Sequence, residues 1–248
     1  MTDRGWALVT GAGRRIGAAL AMAAGEAGYH VIVHYRASET EAAAVAGRVQ
    51  ALGRRAVTRP ADLATPAECA GLVEAAPGPL TLLVNSASLF EDESAGRFDL
   101  ARYEAIMAVN LRAPLLLSHA MADALPAGRT GLIVNITDQR VWRLTPRFFS
   151  YTLSKAALWT ATQTLAQALA PRIRVNAIGP GPTLPSPHQS PNAFAAQAAA
   201  VALERGPTPA DIAAALAYLI DAVAVTGLMI AVDGGQHLAW RTPDTMYD

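Results

Sequence analysis

The amino-acid sequence predicts one α/β domain built on a doubly wound parallel sheet of seven strands, with helices on both faces. Short apolar runs rich in β-branched residues alternate with longer Ala- and Leu-rich stretches, which is typical of parallel strands joined by crossover helices. The runs are apolar almost throughout, as strands covered on both faces are. No linker, repeat or low-complexity tract divides residues 1–248, so we expect a single domain.

The order of the elements follows from this alternation. The predicted strands are Trp6–Val9, His30–His34, Arg55–Arg59, Leu80–Val84, Leu132–Ile136, Arg174–Ile178 and Met229–Val232. The clearest helices are predicted at Leu100–Leu125, Tyr151–Ala170, Asn192–Glu204 and Pro209–Asp221. A proline-rich loop, Gly179–Pro191, precedes the third of these helices, and residues 182–208 are expected to form a substrate loop with short helices.

Composition excludes several classes of function. The chain is 52% hydrophobic and 16% charged, with 20 basic and 20 acidic residues, so no net charge attracts nucleic acid or anionic lipid. The single cysteine, Cys69, cannot form an internal disulfide. No uninterrupted apolar run has the length of a transmembrane helix, and no secretion signal precedes the strand at Trp6. We therefore expect a cytoplasmic protein that binds neither membranes nor nucleic acid.

A glycine-rich turn follows the first predicted strand. Thr10–Gly17 has the spacing Gly-x-Gly-x-x-x-Gly and leads directly into an Ala-rich helix. Glycines let a backbone turn tightly and approach a pyrophosphate, and a helix N-terminus offers unpaired N–H groups with a partial positive charge. The turn therefore predicts a dinucleotide site in a Rossmann-type domain, although a purely structural turn could carry the same glycines.

The end of the second predicted strand indicates which dinucleotide binds. An acidic residue there suits the ribose 2′-hydroxyl of NAD, whereas an arginine suits the 2′-phosphate of NADP. Arg36 and Ser38 follow the strand, and with Arg14 they can receive a phosphate dianion. The nearest acids, Glu39 and Glu41, are expected to start the next helix, with Ser38 and Glu41 as a capping box. We therefore predict NADP(H), the alternative being that Arg36 is a solvated arginine.

A tyrosine and the only lysine of the chain stand four residues apart. Tyr151 and Lys155 lie on a predicted helix, which places both on one face. Because the other 19 basic residues are arginines, a lysine needed only for its charge would be expected to be arginine too. A phenol has a pKa near 10 and carries protons poorly at neutral pH unless a cation lowers that pKa. The pair favours a proton-donating tyrosine assisted by an ammonium, although an ordinary helical pair has the same spacing.

Five motifs in this order resemble the short-chain dehydrogenase/reductase family over nearly the whole chain. They are the turn Thr10–Gly17, Asn85–Ser88 after the fourth strand, Asn110 in a long helix, Tyr151 with Lys155, and Gly179–Gly181 after the sixth strand. The resemblance implies an NADP(H)-dependent oxidoreductase that acts on a small molecule. It also implies a homotetramer, built on the helices before the fifth and sixth strands and on the last strand.

The resemblance assigns roles to individual residues. Tyr151 would donate the proton, Lys155 would hold the nicotinamide ribose and lower the pKa of the tyrosine, and Asn110 would support a water relay. Asp62 would contact adenine. The other residues implied in cofactor binding are Gly11, Gly13, Arg14, Arg15, Ile16, Gly17, Arg36, Ser38, Asn85, Ala87, Pro180, Gly181 and Thr183.

Asp138 is the main departure from the family pattern. Most members carry a carbonyl-polarising serine thirteen residues before the tyrosine, where this chain has Asp138, and the hydroxyl of neighbouring Thr137 is expected to point elsewhere. Arg15 stands where the family usually has glycine. These features, with Phe90 matching an aromatic residue that stacks on a pterin, resemble the pteridine reductase branch, which includes dihydromonapterin reductases. The implied substrate-binding residues are Arg15, Ser88, Phe90, Asp138 and Tyr151.

The chemistry of a carboxylate favours a nitrogen heterocycle as substrate. Reduction of a C=N bond needs a hydride at carbon and a proton at nitrogen, and a pterin offers an amidine-like edge that Asp138 can bind through two N–H donors. An NADPH-dependent pteridine reductase is therefore the leading hypothesis. Two alternatives stay open. One is a ketone or 3-oxoacyl-type carbonyl reductase in which Thr137 or water takes the place of the missing serine. Asp138 would then be a drifted residue without a role in catalysis. The other is an NADP(H)-binding redox sensor without turnover, which would not need Tyr151, Lys155 and Asn110.

Five other residues carry no functional prediction. His30 and His34 share one face of a strand but lack a third ligand, so no metal site is expected. Cys69 is expected to be a small buried residue, and Trp159 a core or subunit-interface residue. His188, in the proline-rich loop, could face either substrate or solvent.

Overall fold

The predicted parallel sheet of seven strands is present. The computed structural model describes residues 4–186 and 189–239, so His188 lies outside the described residues. From one edge to the other the strand order is β3, β2, β1, β4, β5, β6, β7, and every neighbouring pair is parallel. The strands are β1 (Trp6–Val9), β2 (His30–Tyr35), β3 (Ala56–Pro60), β4 (Leu80–Asn85), β5 (Gly131–Ile136), β6 (Ile173–Pro180) and β7 (Met229–Val232).

Helices cover both faces of the sheet and join the strands. They are α1 (Arg15–Glu26), α2 (Glu39–Ala51), α3 (Pro66–Glu74), α4 (Leu100–Met107), α5 (Ala113–Ala124), α6 (Phe149–Leu169), α7 (Pro191–Ala199) and α8 (Pro209–Asp221). Short 3₁₀ segments occur at Ala95–Arg97, Gln139–Val141 and Gln236–Leu238.

Strand β1 shows why the runs are apolar throughout. Its side chains alternate between the two faces of the sheet, as the period of two residues requires. Ala7 and Val9 belong to the core formed with α1, α2 and α8, whereas Trp6 and Leu8 belong to the core formed with α3, α5 and α6. All four side chains are buried, and a buried leucine or valine contributes about 1.5–3 kcal/mol.

The sheet reverses its winding between β1 and β4. Strand β1 pairs with β2 on one side and with β4 on the other, so the connections after these strands run in opposite directions. A crevice opens at the carboxyl ends of strands at such a switch point, and ligands of doubly wound folds bind there. The fold thus places the loops after β1, β2, β4, β5 and β6 around one cleft.

Several details differ from the sequence prediction. The helix predicted over Asn192–Glu204 ends at Ala199, because the chain turns there and Glu204 adopts a left-handed φ of +55°. The capping box predicted at Ser38 and Glu41 is wrong, since the Ser38 side chain makes no capping hydrogen bond. A capping box forms instead on α8, between Thr208 and Asp211.

Within the described part of the chain, one helical segment has the length and composition of a membrane span. Leu100–Ala124 comprises α4, a π-helical turn at Ala108–Arg112 and α5. Half of its most apolar stretch is buried inside the protein, where Leu117 and Met121 pack under the sheet. Core helices of soluble proteins pass the same test, so the segment is only a weak indication of a membrane span.

Candidate active site

A cleft of about 820 Å³ lies at the carboxyl ends of the strands. All predicted site residues line this cleft except Gly13, Asn85 and Asn110. The lining residues that were predicted are Gly11, Arg14, Arg15, Ile16, Gly17, Arg36, Ser38, Asp62, Ala87, Ser88, Phe90, Asp138, Tyr151, Lys155, Pro180, Gly181 and Thr183. Residues from six loops of the chain thus meet in one place.

The glycine turn forms one end of the cleft with no room for side chains. A Cβ at Gly17 would lie 2.2 Å from the carbonyl oxygen of Gly11, and Gly11 itself has a φ of +63°. A Cβ at Gly13 would lie 2.5 Å from the Ser38 hydroxyl, so Gly13 packs behind the cleft wall. The turn brings the backbone close to the N-terminus of α1, where N–H groups are unpaired, and this arrangement suits a pyrophosphate.

Arg15 occupies a backbone position that favours glycine. Its φ is +56°, and a side chain in the left-handed region costs about 1–2 kcal/mol. The guanidinium reaches across the cleft and donates to the carbonyl oxygen of Leu184 at 3.3 Å, in the loop after β6. Arg15 therefore joins the glycine turn to the predicted substrate loop.

Two arginines and a serine surround the end of β2. Arg14 and Arg36 are exposed and line the cleft with Ser38. Among the described residues, the acidic side chains that line the cleft are Asp62 and Asp138. Glu39 and Glu41 do not line it. This end of the cleft therefore presents cations and a hydroxyl to a ligand, as a phosphate requires.

His34 supports the glycine turn through its ring nitrogens. Its Nδ1 accepts from the Gly11 backbone N–H at 3.0 Å, and its Nε2 lies 3.1 Å from the carbonyl oxygen of Ala61. Burial lowers the pKa of His34, which favours the neutral ring that this pair of contacts needs. Among the residues described, no group of three His, Cys, Asp or Glu side chains could hold a metal, and Cys69 is buried as predicted.

Tyr151 and Asp138 form a buried hydrogen-bonded pair. The Tyr151 hydroxyl donates to Asp138 Oδ2 at 2.9 Å, and the two residues are 6% and 8% exposed. Burial and the negative charge of Asp138 raise the pKa of Tyr151 well above its ordinary value. The expectation of a lowered pKa for Tyr151 is thus wrong. The phenol stays protonated at neutral pH.

Lys155 is buried on the same face of α6 as Tyr151, as predicted. Its Nζ donates to the carbonyl oxygen of Ile136 at 2.7 Å and lies 5.6 Å from the centre of the Tyr151 ring. Burial lowers the pKa of Lys155 to about 8, although the charge of Asp138 opposes this shift. A compact ammonium fits this 2% exposed position better than a planar guanidinium, which explains the single lysine.

Asn110 and Asn85 hold the scaffold and do not line the cleft. In the π-helical turn, Asn110 Oδ1 accepts from the Leu89 N–H at 2.8 Å, while Nδ2 donates to the Leu89 carbonyl oxygen and to Ser154 Oγ. The Asn85 amide donates to Asn135 Oδ1 at 2.8 Å inside the sheet. Asn85 is absent from the described residues that line the cleft, and its contact with the cofactor stays a prediction. The Asn110 side chain positions the loop after β4, and its water relay stays a prediction.

The remaining predicted cofactor residues close the cleft on two sides. Asp62, after β3, accepts from the Ala64 N–H at 2.9 Å. Thr183 Oγ1 donates to the Gly181 carbonyl oxygen at 3.0 Å, and a Cβ at Gly181 would lie 2.6 Å from the Asp233 Cα. These contacts fix the loops after β3 and β6 beside the cleft.

Arg140 and Phe148 were missed by the sequence analysis. The guanidinium of Arg140 lies 3.1 Å from Asp138 Oδ2 and stands over the rings of Phe90 and Phe148, at 5.5 and 5.1 Å. The two rings stack at 4.3 Å, and Phe90 meets Tyr151 edge-on at 4.7 Å. No periodicity or spacing marks this cluster, because Phe90 comes from the connection after β4 and Arg140 and Phe148 from the connection between β5 and α6, which only folding brings together.

A comparison of sequence profiles decides the family. The profile of the family described as short chain dehydrogenase matches residues 5–195, which is most of the chain. The chain belongs to the short-chain dehydrogenase family. The order of its motifs and its sheet topology agree with that assignment.

Similar short-chain dehydrogenases include reductases of different substrates. The FolM alternative dihydrofolate reductase 1 of Brucella canis, solved in complex with NADP, is 48% identical, with 99% of each chain covered and a TM-score of 0.94. The dihydromonapterin reductase of Citrobacter koseri is 33% identical, with 93% of this chain and 96% of the reductase covered. A 3-oxoacyl-(acyl-carrier-protein) reductase of Synechocystis is 31% identical, with 92% and 95% covered. This similarity supports an oxidoreductase fold shared by pterin and oxoacyl reductases.

In this short-chain dehydrogenase, a carboxylate stands beside the tyrosine hydroxyl where the family usually has a serine. The neighbouring Thr137 does not replace that serine. Its hydroxyl donates to the carbonyl oxygen of Ile178 at 3.0 Å, and the residue is 2% exposed. Thr137 therefore points toward β6, as its register predicts.

Proposed function

We propose that this short-chain dehydrogenase is an NADPH-dependent reductase of a dihydropterin, with Tyr151 delivering a proton to a ring nitrogen. The observation that carries the proposal is the carboxylate of Asp138 on the cleft wall, bonded to the Tyr151 hydroxyl. An ionised carboxylate accepts hydrogen bonds and donates none, so it suits a substrate rich in N–H groups.

The residues at the exposed end of the cleft fit NADP(H). The cradle of Gly11 and Gly17, which a Cβ would fill, admits a pyrophosphate against the N-terminus of α1. Arg36, Ser38 and Arg14 would receive the 2′-phosphate, and Lys155 the nicotinamide ribose. When bound, NADPH supplies the hydride.

Three residues would orient the substrate. Asp138 would accept from the amidine-like edge of a pterin, and the ring of Phe90, held edge-on to Tyr151, would lie against the planar heterocycle. Arg15 would reach the substrate from the opposite wall through its contact with the Leu184 loop. The similarity to a dihydromonapterin reductase and to an alternative dihydrofolate reductase supports a substrate of this class.

The protonation of Tyr151 favours reduction over oxidation. Oxidation of an alcohol needs a phenolate to accept a proton, whereas reduction needs a phenol that donates one. Because burial and Asp138 raise the pKa of Tyr151, the group is a phenol throughout the neutral range. The chain's own residues therefore favour the reductive direction.

A substrate panel tests the proposal. NADPH consumption is measured with 7,8-dihydrobiopterin, dihydrofolate, a 3-oxoacyl thioester and a reactive diketone. We expect kcat/KM for a dihydropterin to exceed that for the ketones by at least about tenfold, which is 1.4 kcal/mol of transition-state binding. A preference for a ketone would overturn the pterin assignment and favour a carbonyl reductase. NADPH binding without turnover of any of them would favour the redox sensor.

We further propose a homotetramer. Leu115 on α5 and Leu153 on α6 are exposed in the single chain, and so is Leu228 beside β7. Subunits packed on these elements would bury all three side chains. Light scattering on the purified protein measures the mass, and a monomer at micromolar concentration would contradict the assembly.

A further inference from the structure

Arg140 stands behind the substrate-facing acid. It lies on the 3₁₀ segment Gln139–Val141, directly after Asp138. Its backbone N–H donates to Asp138 Oδ1 at 2.8 Å, and its Nη1 donates to Oδ2 at 3.1 Å. Arg140 is absent from the described cleft-lining residues, whereas Asp138 and Tyr151 both line the cleft. Arg140 thus contacts two side chains that line the cleft, Asp138 and Phe90.

We propose that Arg140 is a positioning residue that holds the Asp138 carboxylate aimed at Tyr151, and that its charge sets the acidic limit of the pH range in which the enzyme works. The proposal rests on the proposed function for the role of Asp138 toward substrate. The contact between the two side chains is itself a feature of the fold.

The surroundings of Asp138 explain why it needs a cation. The Asp138 side chain is 12% exposed, and burial favours the neutral form of a carboxylic acid. The titratable and charged groups that face it are Arg140 on its own loop, and Tyr151 and Lys155 on α6. Of these three, Arg140 is the cation in direct contact. The pair of Asp233 and His237 packs next to this loop, where His237 meets Trp142.

Arg140 is itself fixed by aromatic rings. Its guanidinium stands over Phe90 and Phe148, which stack on each other, and only 15% of its side chain is exposed. Phe148 has a left-handed φ of +56°, so the chain accepts a strained residue at the start of α6 to place this ring. Over these rings the guanidinium pairs with Asp138, whose Oδ2 lies 3.1 Å from Nη1.

Arg147 offers a matched control. Its guanidinium also stands over the Phe148 ring, at 5.3 Å, but it pairs with Asp92 and is 66% exposed. The two arginines thus share one aromatic ring and differ in the carboxylate that they hold. Replacing Arg147 removes a similar stacking contact without touching Asp138.

The experiment compares the pH dependence of kcat/KM in wild type, Arg140→Met, Arg140→Lys and Arg147→Met. A dihydropterin and a diketone are used from about pH 5 to about pH 9. In Arg140→Met, we expect the acidic limb to move up by about one pH unit or more, because a buried carboxylate without its cation takes up a proton at higher pH. Arg140→Lys should keep most of the wild-type limb, and Arg147→Met all of it.

A merely structural role for Arg140 predicts a different result. Arg140→Met would then lose activity by the same factor at every pH, and that outcome would overturn the proposal. So would a limb that moves equally in Arg147→Met. If Arg140→Met does not fold, Arg140→Gln replaces it, with the melting temperature and NADPH binding as checks. If wild type does not turn over the pterin, and Arg140→Met shifts the acidic limb of kcat/KM for the diketone, the role of Arg140 is supported and the pterin assignment is rejected.

A double variant isolates the contact. In the Asp138→Asn background, Arg140→Met should no longer move the acidic limb, because the group that titrates is gone. An undiminished shift in that background would assign the effect to another acid and overturn the proposal.

Discussion

The two ends of the cleft carry their charges in different surroundings. At the cofactor end, Arg14 and Arg36 are exposed to water, which screens charges over about 8 Å at physiological salt. At the catalytic end, Lys155, Tyr151 and Asp138 are 2%, 6% and 8% exposed. Charges in water act almost independently, whereas buried charges change one another's protonation. We therefore expect substitutions at the proposed cofactor end to act nearly independently, and substitutions at the proposed catalytic end to affect one another.

The largest expected effect is that of Tyr151→Phe. Removal of the hydroxyl deletes the proton donor and leaves the Asp138 carboxylate without its partner, so kcat should fall by about 10²–10⁴-fold. NADPH binding, measured by fluorescence titration, should change only a few-fold. A variant that keeps more than about a tenth of wild-type kcat would show that the buried end does not depend on this phenol.

Lys155→Arg tests whether charge alone suffices at the buried end. The guanidinium keeps the charge but is too wide and planar for the site beside Ile136, and we expect kcat/KM to fall by about 100-fold. The pH dependence should change as well. Burial lowers the pKa of Lys155 to about 8, so NADPH binding to wild type should weaken as pH rises through about 8 and the ammonium loses its proton. The arginine variant should lack this alkaline decline, and wild-type turnover in it would contradict the assigned role.

Asp138→Ser rebuilds the family's usual site. A neutral hydroxyl loses a charge-assisted contact of about 1.5–3 kcal/mol with the substrate, which corresponds to a loss of about tenfold to a hundredfold in kcat/KM for a dihydropterin. Activity on a diketone should hold or rise, since a serine can donate to its oxygen. Full pterin activity in the variant would remove the reason for placing this chain with the pteridine reductases.

The smallest effects are expected at the cofactor end. NADPH should bind at least about tenfold more tightly than NADH, which is 1.4 kcal/mol, and Arg36→Ala should remove most of that preference. The preference should shrink at high salt, because the arginines are exposed. Arg14→Ala and Arg36→Ala should combine additively within about 0.5 kcal/mol, unlike the buried pair of Asp138 and Arg140. Equal dissociation constants for the two dinucleotides, by titration at moderate salt, would contradict the NADP(H) assignment.

Much of the fold and the cofactor end follow from the sequence alone. Strands and helices leave periodic patterns, and β1 and β7 begin and end where those patterns place them. The turn Gly11–Gly17, the end of β2 and the spacing of Tyr151 and Lys155 depend on neighbours within a few residues. Such local features can be predicted from the order of the residues. Asp138 also stood out, because it replaces an expected residue at a known spacing.

Only the tertiary structure decided the catalytic end. The Asn85 side chain bonds to Asn135 inside the sheet, and the Asn110 side chain bonds to the loop after β4. Burial and Asp138 raise the pKa of Tyr151, where a lowered pKa was expected. The folded chain also places the Arg140 guanidinium beside Asp138 and over the rings of Phe90 and Phe148, which belong to separate loops. The physical reason is that side-chain direction and burial depend on packing between segments far apart in the chain. Burial changes the free energy of each charged group at this end, and no sequence pattern predicts how deeply each of these groups is buried.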